Sequence, residues 1–437
     1  MRDAQVSRRT VGKLVGATGL GSLTGGVLLG EAGRAAPYPP PPPSLPATWT
    51  TTGTSVSALA SFDDAMLTFM KARYIAGGQL AVTYKGRLVL ARGYSCDRLT
   101  PVPVQPTSTF RVASLSKSVT AAAVAKLAQD GKVTLGTPVT ALLDFIPPTG
   151  QSVDVRLQKT TLWRLLQHTG GWDRAASLDP LWSDQKISAA LGVPMELTAD
   201  DVIRYMAGRP LDFTPATRVA YSNYGYLLAA KVVEAVSGQT YGDYVNQQLL
   251  APLGITRMKL GGSIAPFPDE VSYRSQYTGT TVLNMSGATV PAPYGTFSMR
   301  LQEGNGRWIA SAVDLVRWAS AFDAPGTVFN STTLGRVWAA PGDGIGVNDS
   351  GWYYGLGWQV RPVTTGGTGR NTWHVGSMPG THSLLVRTYN GMSWAALFNQ
   401  RDDASGLSYG DIDSMLWTAA GKVSSWPTHN FYSKYFG

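Results

Sequence analysis

The chain has 437 residues, 43% hydrophobic and 15% charged, enough apolar side chain to bury a sizeable core in one or more domains. Its net charge of +9 is spread without any block of five or six basic residues, which excludes a nucleic-acid-binding tract and leaves only weak attraction to anionic envelopes. The single cysteine, Cys96, excludes an internal disulfide and has no catalytic partner beside it in sequence, so it reads as inert.

In chain order, Ser7-Arg8-Arg9-Thr10-Val11-Gly12-Lys13 opens a mildly apolar segment from 11 to 30 that carries seven glycines. Residues 1–36 therefore read as a twin-arginine signal peptide, with cleavage fitting after Ala35 and Gly33 at the −3 place. Lys13 and the glycines make a poor membrane span, and no lipobox cysteine follows. The expected destination is periplasmic or extracellular, with no stable span after signal removal. Pro37 to Pro46 holds seven prolines, five of them consecutive, an extended polyproline spacer. Residues 37–54 are accordingly expected to be linker and 55–437 the folded domain.

Ser61 to Tyr74 is predicted helical, and Gln79 to Tyr94 alternates as a hairpin about Lys85-Gly86. Ser118 to Asp130 reads as a helix stopped by Gly131. Residues 173–200 and 261–300 are rich in Pro, Gly, Ser and Thr without periodicity and are expected to be loops that shape a cleft. Ser383 to Tyr389 and Ser393 to Phe398 flank Asn390-Gly391, a strong short hairpin signal, and a helix from Ile412 to Ala420 closes the chain. Strands at both ends with helical material between them predict an α/β fold whose antiparallel sheet is assembled from the two chain ends, flanked by helices, with the middle as a second lobe.

Three motifs carry chemistry. Ser114-Leu115-Ser116-Lys117 sets a hydroxyl and an amine on one helix face, where the Lys117 amine can reach a serine that needs a base to act at neutral pH. Tyr221-Ser222-Asn223 follows a turn-like Phe213-Thr214-Pro215-Ala216-Thr217, and Trp373-His374-Val375-Gly376-Ser377 precedes the last hairpin. No G-x-S-x-G elbow is present, and His168, His374, His382 and His429 lack metal-ligand spacing, so neither metal nor cofactor is expected.

With S-x-x-K, Y-x-N and H-x-G in this order, the chain resembles the serine β-lactamase and penicillin-binding-protein superfamily, in its class C-like branch of esterases, D-aminopeptidases and DD-peptidases. Weaker marks are Phe110-Arg111-Val112-Ala113, Leu165-Leu166-Gln167-His168-Thr169-Gly170-Gly171, Pro252-Leu253-Gly254-Ile255 and Tyr354-Gly355-Leu356-Gly357-Trp358. The resemblance sharpens the fold to an α/β sandwich plus an all-α region, with the site in the cleft between. It implies Ser114 as nucleophile, Lys117 and Tyr221 as the proton-handling pair, and a Tyr221 phenol whose pKa neighbouring cations lower. It further implies that Asn223 holds the Lys117 amine and the substrate's acyl amide, that Gly376 lets the strand edge approach substrate, and that the Ser377 N–H completes an oxyanion hole with that of Ser114. His374, where β-lactamases and DD-peptidases have lysine, implies weak recognition of a substrate carboxylate. The expected activity is hydrolysis of an ester or amide in a small molecule or short peptide; the alternatives are a DD-peptidase or β-lactamase, or a binding or sensing protein without turnover.

Overall fold

The computed structural model describes residues 48–97, 102–363, 369–402 and 405–436. The stretch expected to be a signal peptide, its expected cleavage site and the proline run up to Pro46 lie outside them. Strand β1 (Trp49–Gly53) pairs antiparallel with β3 (Arg87–Cys96), from Trp49 opposite Cys96 to Gly53 opposite Arg92. The folded sheet therefore begins inside the stretch expected to be linker: the β-branched threonines 50 to 52 suit an edge strand, and Gly53 anchors it by accepting from Arg92 Nη1 at 2.6 Å.

The hairpin of β2 (Gly77–Tyr84) and β3 turns through Lys85 and Gly86, both at positive φ, and the hairpin of β7 (Thr381–Arg387) and β8 (Met392–Phe398) turns through Asn390 and Gly391. With β4 (Tyr353–Tyr354), β5 (Gln359–Pro362) and β6 (Arg370–Met378) these strands form one eight-stranded sheet in the order β1-β3-β2-β8-β7-β6-β5-β4. The two chain ends meet at the β2–β8 pair, antiparallel like the rest, as expected from element order.

Side-chain alternation sorts the sheet's faces. Leu80, Val82, Leu384, Val386, Trp394 and Ala396 pack with helices α1 (Ala60–Ala72) and α5 (Asp411–Gly421). Ala81, Leu385, Ala395 and Leu397 join the larger core on the opposite face, which holds α2 (Ser116–Gln129), α3 (Asn223–Ser237) and α4 (Ala312–Ser320). α2 carries eleven buried residues, which suits a central helix covered on all sides.

Residues 173–200 are not loop throughout. Asp173 caps a short helix Arg174–Ser177, Asp179 caps a 3-10 turn Pro180–Trp182, a helix runs over Asp184–Leu191, and Thr198 with Asp201 forms a capping box on Ala199–Ala207. The capping aspartates and threonine were the local signal, masked by short and irregular spacing. Residues 261–300 are largely irregular, with a small ribbon of Thr278–Thr280 against Thr289–Pro291. Among the described residues no helix is long and apolar enough to cross a membrane.

Candidate active site

The segment Phe110–Arg111 pairs with Trp308–Ala310 and delivers the chain into a tight turn, Ala113–Leu115, that runs directly into α2. Ala113 stands at φ 48, and Ser114 follows it, half-buried, at the helix entrance. Strand β7 fixes this approach from below: Thr381 Oγ1 donates to the Arg111 carbonyl and Ser383 Oγ to the Val112 carbonyl, both at 2.8 Å. Gly376 on β6 is needed at the same place, because a Cβ there would collide with the Val112 carbonyl and Ser383 Oγ. The glycine thus lets β6 close on the serine turn itself, a packing reason distinct from the expected approach to substrate. Gly357, at φ 75, likewise leaves no room for a side chain against the Lys117 carbonyl, which accounts for the Tyr354-to-Trp358 mark.

Lys117 is wholly buried. Its Nζ lies 3.1 Å from Ser114 Oγ, 2.7 Å from Asn223 Oδ1 and 3.1 Å from the Asn305 carbonyl oxygen. Burial drives its pKa well below the usual lysine range, the Arg174 charge pushes the same way, and Asp179 opposes. A neutral amine has two N–H donors, which Asn223 and Asn305 accept, and one lone pair, which is left facing the Ser114 hydroxyl. An amine in that form could accept a proton from Ser114.

Tyr221 Oη lies 2.9 Å from Ser114 Oγ on another side. Contrary to the expectation from sequence, its pKa is raised: burial pushes the phenol up to about 12, and the Ser114 hydrogen bond and the Arg174 charge only partly offset it. Burial outweighs the neighbouring cation, so Tyr221 is a neutral phenol that donates to the serine.

Asn223 opens α3 behind Ser222, whose side chain accepts from the Gly225 N–H. Its Nδ2 donates to Asp179 Oδ2 at 2.5 Å, which orients Oδ1 toward Lys117. Tyr224 and Tyr226 are core aromatics, as expected, although the Tyr226 ring also lies 5.6 Å from Lys117 Nζ.

Behind Tyr221 stands a buried aromatic cluster. The His168 ring centroid lies 4.3 Å from those of Tyr221 and Tyr354, and His168 Nδ1 accepts from the Ser222 N–H at 3.2 Å. His374 is only 2% exposed; its Nδ1–H donates to the Val375 carbonyl, and its Nε2 accepts from the Tyr354 hydroxyl, both at 2.8 Å. Burial lowers its pKa to about 3, Lys117 assisting, so the ring is neutral. Neutrality matches the sequence reading, but both ring nitrogens are occupied and the ring does not present itself to a cleft. Ser377, two residues beyond Val375, is exposed at the end of β6, past Trp373 where the β5 pairing stops.

Ser114, Lys117, Tyr221 and Asn223 thus lie in one hydrogen-bonded group, Gly376 packs on its turn, and His374 stands behind it. Arg174, Asp179, Tyr354 and the Asn305 carbonyl also build the site. Of these, Tyr354 belonged to a motif mark, and Arg174 and Asp179 to the stretch 173–200 expected to shape a cleft, though neither was named as a site residue. The Asn305 contribution is backbone, which no residue type announces. The Pro215-Ala216-Thr217 stretch holds Ala216 at φ 69, a left-handed conformation that a glycine would adopt without strain.

The family model described as Beta-lactamase matches residues 62–411. Penicillin-binding protein 4 of Amycolatopsis lactamdurans is 26% identical over 247 residues, 56% of this chain and 59% of that protein. Protein flp of Staphylococcus aureus (strain COL) is 26% identical over 184 residues, 42% of this chain and 34% of that one. The chain therefore spans less than two thirds of the length of either relative. The putative penicillin-binding protein PbpX of Bacillus subtilis (strain 168) is 25% identical over 343 residues, 78% of this chain and 74% of that one. Among solved structures, the octameric penicillin-binding protein homologue from Pyrococcus abyssi superposes with a TM-score of 0.61 at 21% identity, covering 83% of this chain and 77% of its own. The D-amino acid amidase from Ochrobactrum anthropi SV3 complexed with L-phenylalanine amide does so with 0.61 at 19%, covering 84% and 97%. At these identities the structural likeness is one of fold.

Proposed function

The chain belongs to the beta-lactamase family, and on that premise we propose that it is an exported serine hydrolase that forms an acyl-enzyme on Ser114 and releases it to water. The observation that carries this reading is the Ser114 hydroxyl held between the buried Lys117 amine, whose burial favours the uncharged form, and the Tyr221 phenol, at 3.1 and 2.9 Å. Lys117 takes the serine proton as Oγ attacks the acyl carbon. The N–H groups of Ser114, at a helix entrance, and of Ser377 steady the oxyanion. Tyr221 hands its proton to the leaving group and is resupplied by the Lys117 ammonium. Water then adds its hydroxyl to the acyl group and returns a proton to Ser114.

The substrate class we favour is an uncharged ester or amide, because neutral His374 offers no cation for a carboxylate. The second reading is a cell-wall peptide or β-lactam, supported by penicillin-binding proteins among the relatives; the fold neighbours include a D-amino acid amidase. Export rests on the sequence of residues 1–36 alone.

Labelling with a fluorophosphonate probe, followed by mass mapping, tests the chemistry. Ser114 is the expected adduct site, and Ser114→Ala should lose labelling and several orders of magnitude of turnover. An adduct elsewhere, or labelling retained in the variant, overturns the proposal. Turnover across p-nitrophenyl esters, D- and L-amino-acid amides and a chromogenic cephalosporin then separates the two substrate readings.

A further inference from the structure

The short helix Arg174–Ser177 brings one more charged group to the site. The Arg174 guanidinium carbon lies 4.7 Å from the centroid of the Tyr221 ring, and Lys117 Nζ lies 4.7 Å from the same centroid. Two basic side chains therefore share one aromatic ring. The acids near Arg174 make their short contacts elsewhere: Asp173 pairs with Arg218 at 2.8 Å, and Asp179 accepts from Asn223 at 2.5 Å while feeling the Arg174 charge at longer range. Among the described residues Arg174 has no ion-pair partner; its contact is the ring.

We propose that Arg174 is a positioning residue for the reaction, an unpaired guanidinium held against Tyr221 whose fixed charge keeps Lys117 in the free-amine form that accepts the Ser114 proton. The argument rests on the reading of Lys117 as the base for Ser114. Burial already disfavours the charged form of Lys117, and a second cation on the same ring adds repulsion in the same direction. Arginine cannot lose its proton in a protein, whereas a buried lysine can. The other groups facing Lys117 do not supply that charge. His168 and His374 are neutral, held below their usual range by burial first. Tyr221 and Tyr226 are protonated phenols, Asn223 and the Asn305 carbonyl are uncharged, and Asp179 acts in the opposite sense. Arg174 is thus the permanent cation of the group. It also draws the Tyr221 phenol downward, toward the range where it can release a proton.

The sign is fixed. The base works unprotonated, so the rate rises as pH climbs through its pKa; removing a neighbouring cation makes the protonated form easier to hold and moves that rise to higher pH. The test is the rate of fluorophosphonate labelling of Ser114 in the full chain from pH 5 to 10, for wild type, Arg174→Gln and Arg174→Lys. In the glutamine variant the acid limb should move up by about one pH unit, so that below it labelling is about tenfold slower than wild type, the ratio closing toward unity above it. Arg174→Lys restores the charge and should return the limb to within a few tenths of a unit of wild type. A glutamine variant slowed by one factor at every pH marks a merely structural role and overturns the proposal, as does an unmoved limb. Failure of wild type to label at Ser114 at any pH overturns instead the hydrolase reading on which it stands.

Discussion

Tyr221 and Lys117 touch the same hydroxyl, yet burial acts on them in opposite chemical senses: it favours loss of the amine's proton and retention of the phenol's. The two should therefore separate in a kinetic experiment. On the proposed mechanism Tyr221→Phe removes the donor to the leaving group but leaves the Lys117 base intact. An amide, whose amine must be protonated as it departs, should be turned over about 10²- to 10⁴-fold more slowly. A p-nitrophenyl ester, whose leaving group departs without help, should lose about tenfold or less. Equal losses on both substrates, measured as kcat/KM, would instead make Tyr221 the base. The motif residues were legible because serine and lysine three apart on a helix, or tyrosine and asparagine at a helix start, are local patterns. Arg174 and Asp179 were not, because their importance arises only when residues 173–179 fold back over Tyr221. The phenol's pKa was misjudged for the same reason: a sequence shows which charges exist, not how deeply a ring is buried.

At the scale of elements, the helix Asp184–Leu191 carries a carboxyl whose environment is costly. Asp184 is 3% exposed, its Oδ1 has no partner among the described residues, and burial, with Glu196 adding, raises its pKa to about 7. A carboxyl raised in the fold penalises stability where it must ionise. The penalty is absent near pH 4, grows between the unfolded value near 3.9 and about 7, and is full above that. Asp184→Asn cannot ionise, so relative to wild type it should gain on the order of 2–4 kcal/mol between pH 4.5 and pH 8. Taking the difference between the two pH values cancels any packing cost of the amide. Urea unfolding at both values measures it, and a wild-type-to-variant gap that does not change with pH refutes the argument. The hairpins, by contrast, were legible to within two residues, since Lys85, Gly86 and Gly391 sit at the positive φ their turns demand. The capped helices of 173–200 were not, because four- and eight-residue helices carry too few turns to display a period.

For the whole molecule, a sheet built from both chain ends means that the last residues bear on the first strands. The sequence reading ended its elements at Ala420, yet the chain continues across β3: Phe431 N–H donates to the Leu88 carbonyl at 2.9 Å, and Asn430 Oδ1 accepts from the Leu88 N–H at 3.1 Å. From there Tyr432 and Phe436 lie beneath Arg317, and the Tyr435 carbonyl accepts from Arg257 Nη1 at 2.8 Å. Arg257 in turn pairs with the buried Asp314 on α4 at 2.7 Å. The tail thus ties the sheet to the helical region through aromatic rings whose spacing, Phe431, Tyr432, Tyr435 and Phe436, is too brief to announce a role in sequence. Deleting residues 429–437 should lower stability by about 2–5 kcal/mol, the order of one or two aromatic side chains returned to water together with their hydrogen bonds. None of these contacts involves a residue of the site, so labelling of Ser114 below the midpoint of unfolding should proceed at the wild-type rate. Thermal unfolding of the deletion variant, paired with the labelling rate, decides between the two ways a tail can matter. A lowered Tm with intact labelling marks a clamp on the fold, whereas an unchanged Tm would show that the contacts across β3 contribute nothing to holding the sheet and helices together.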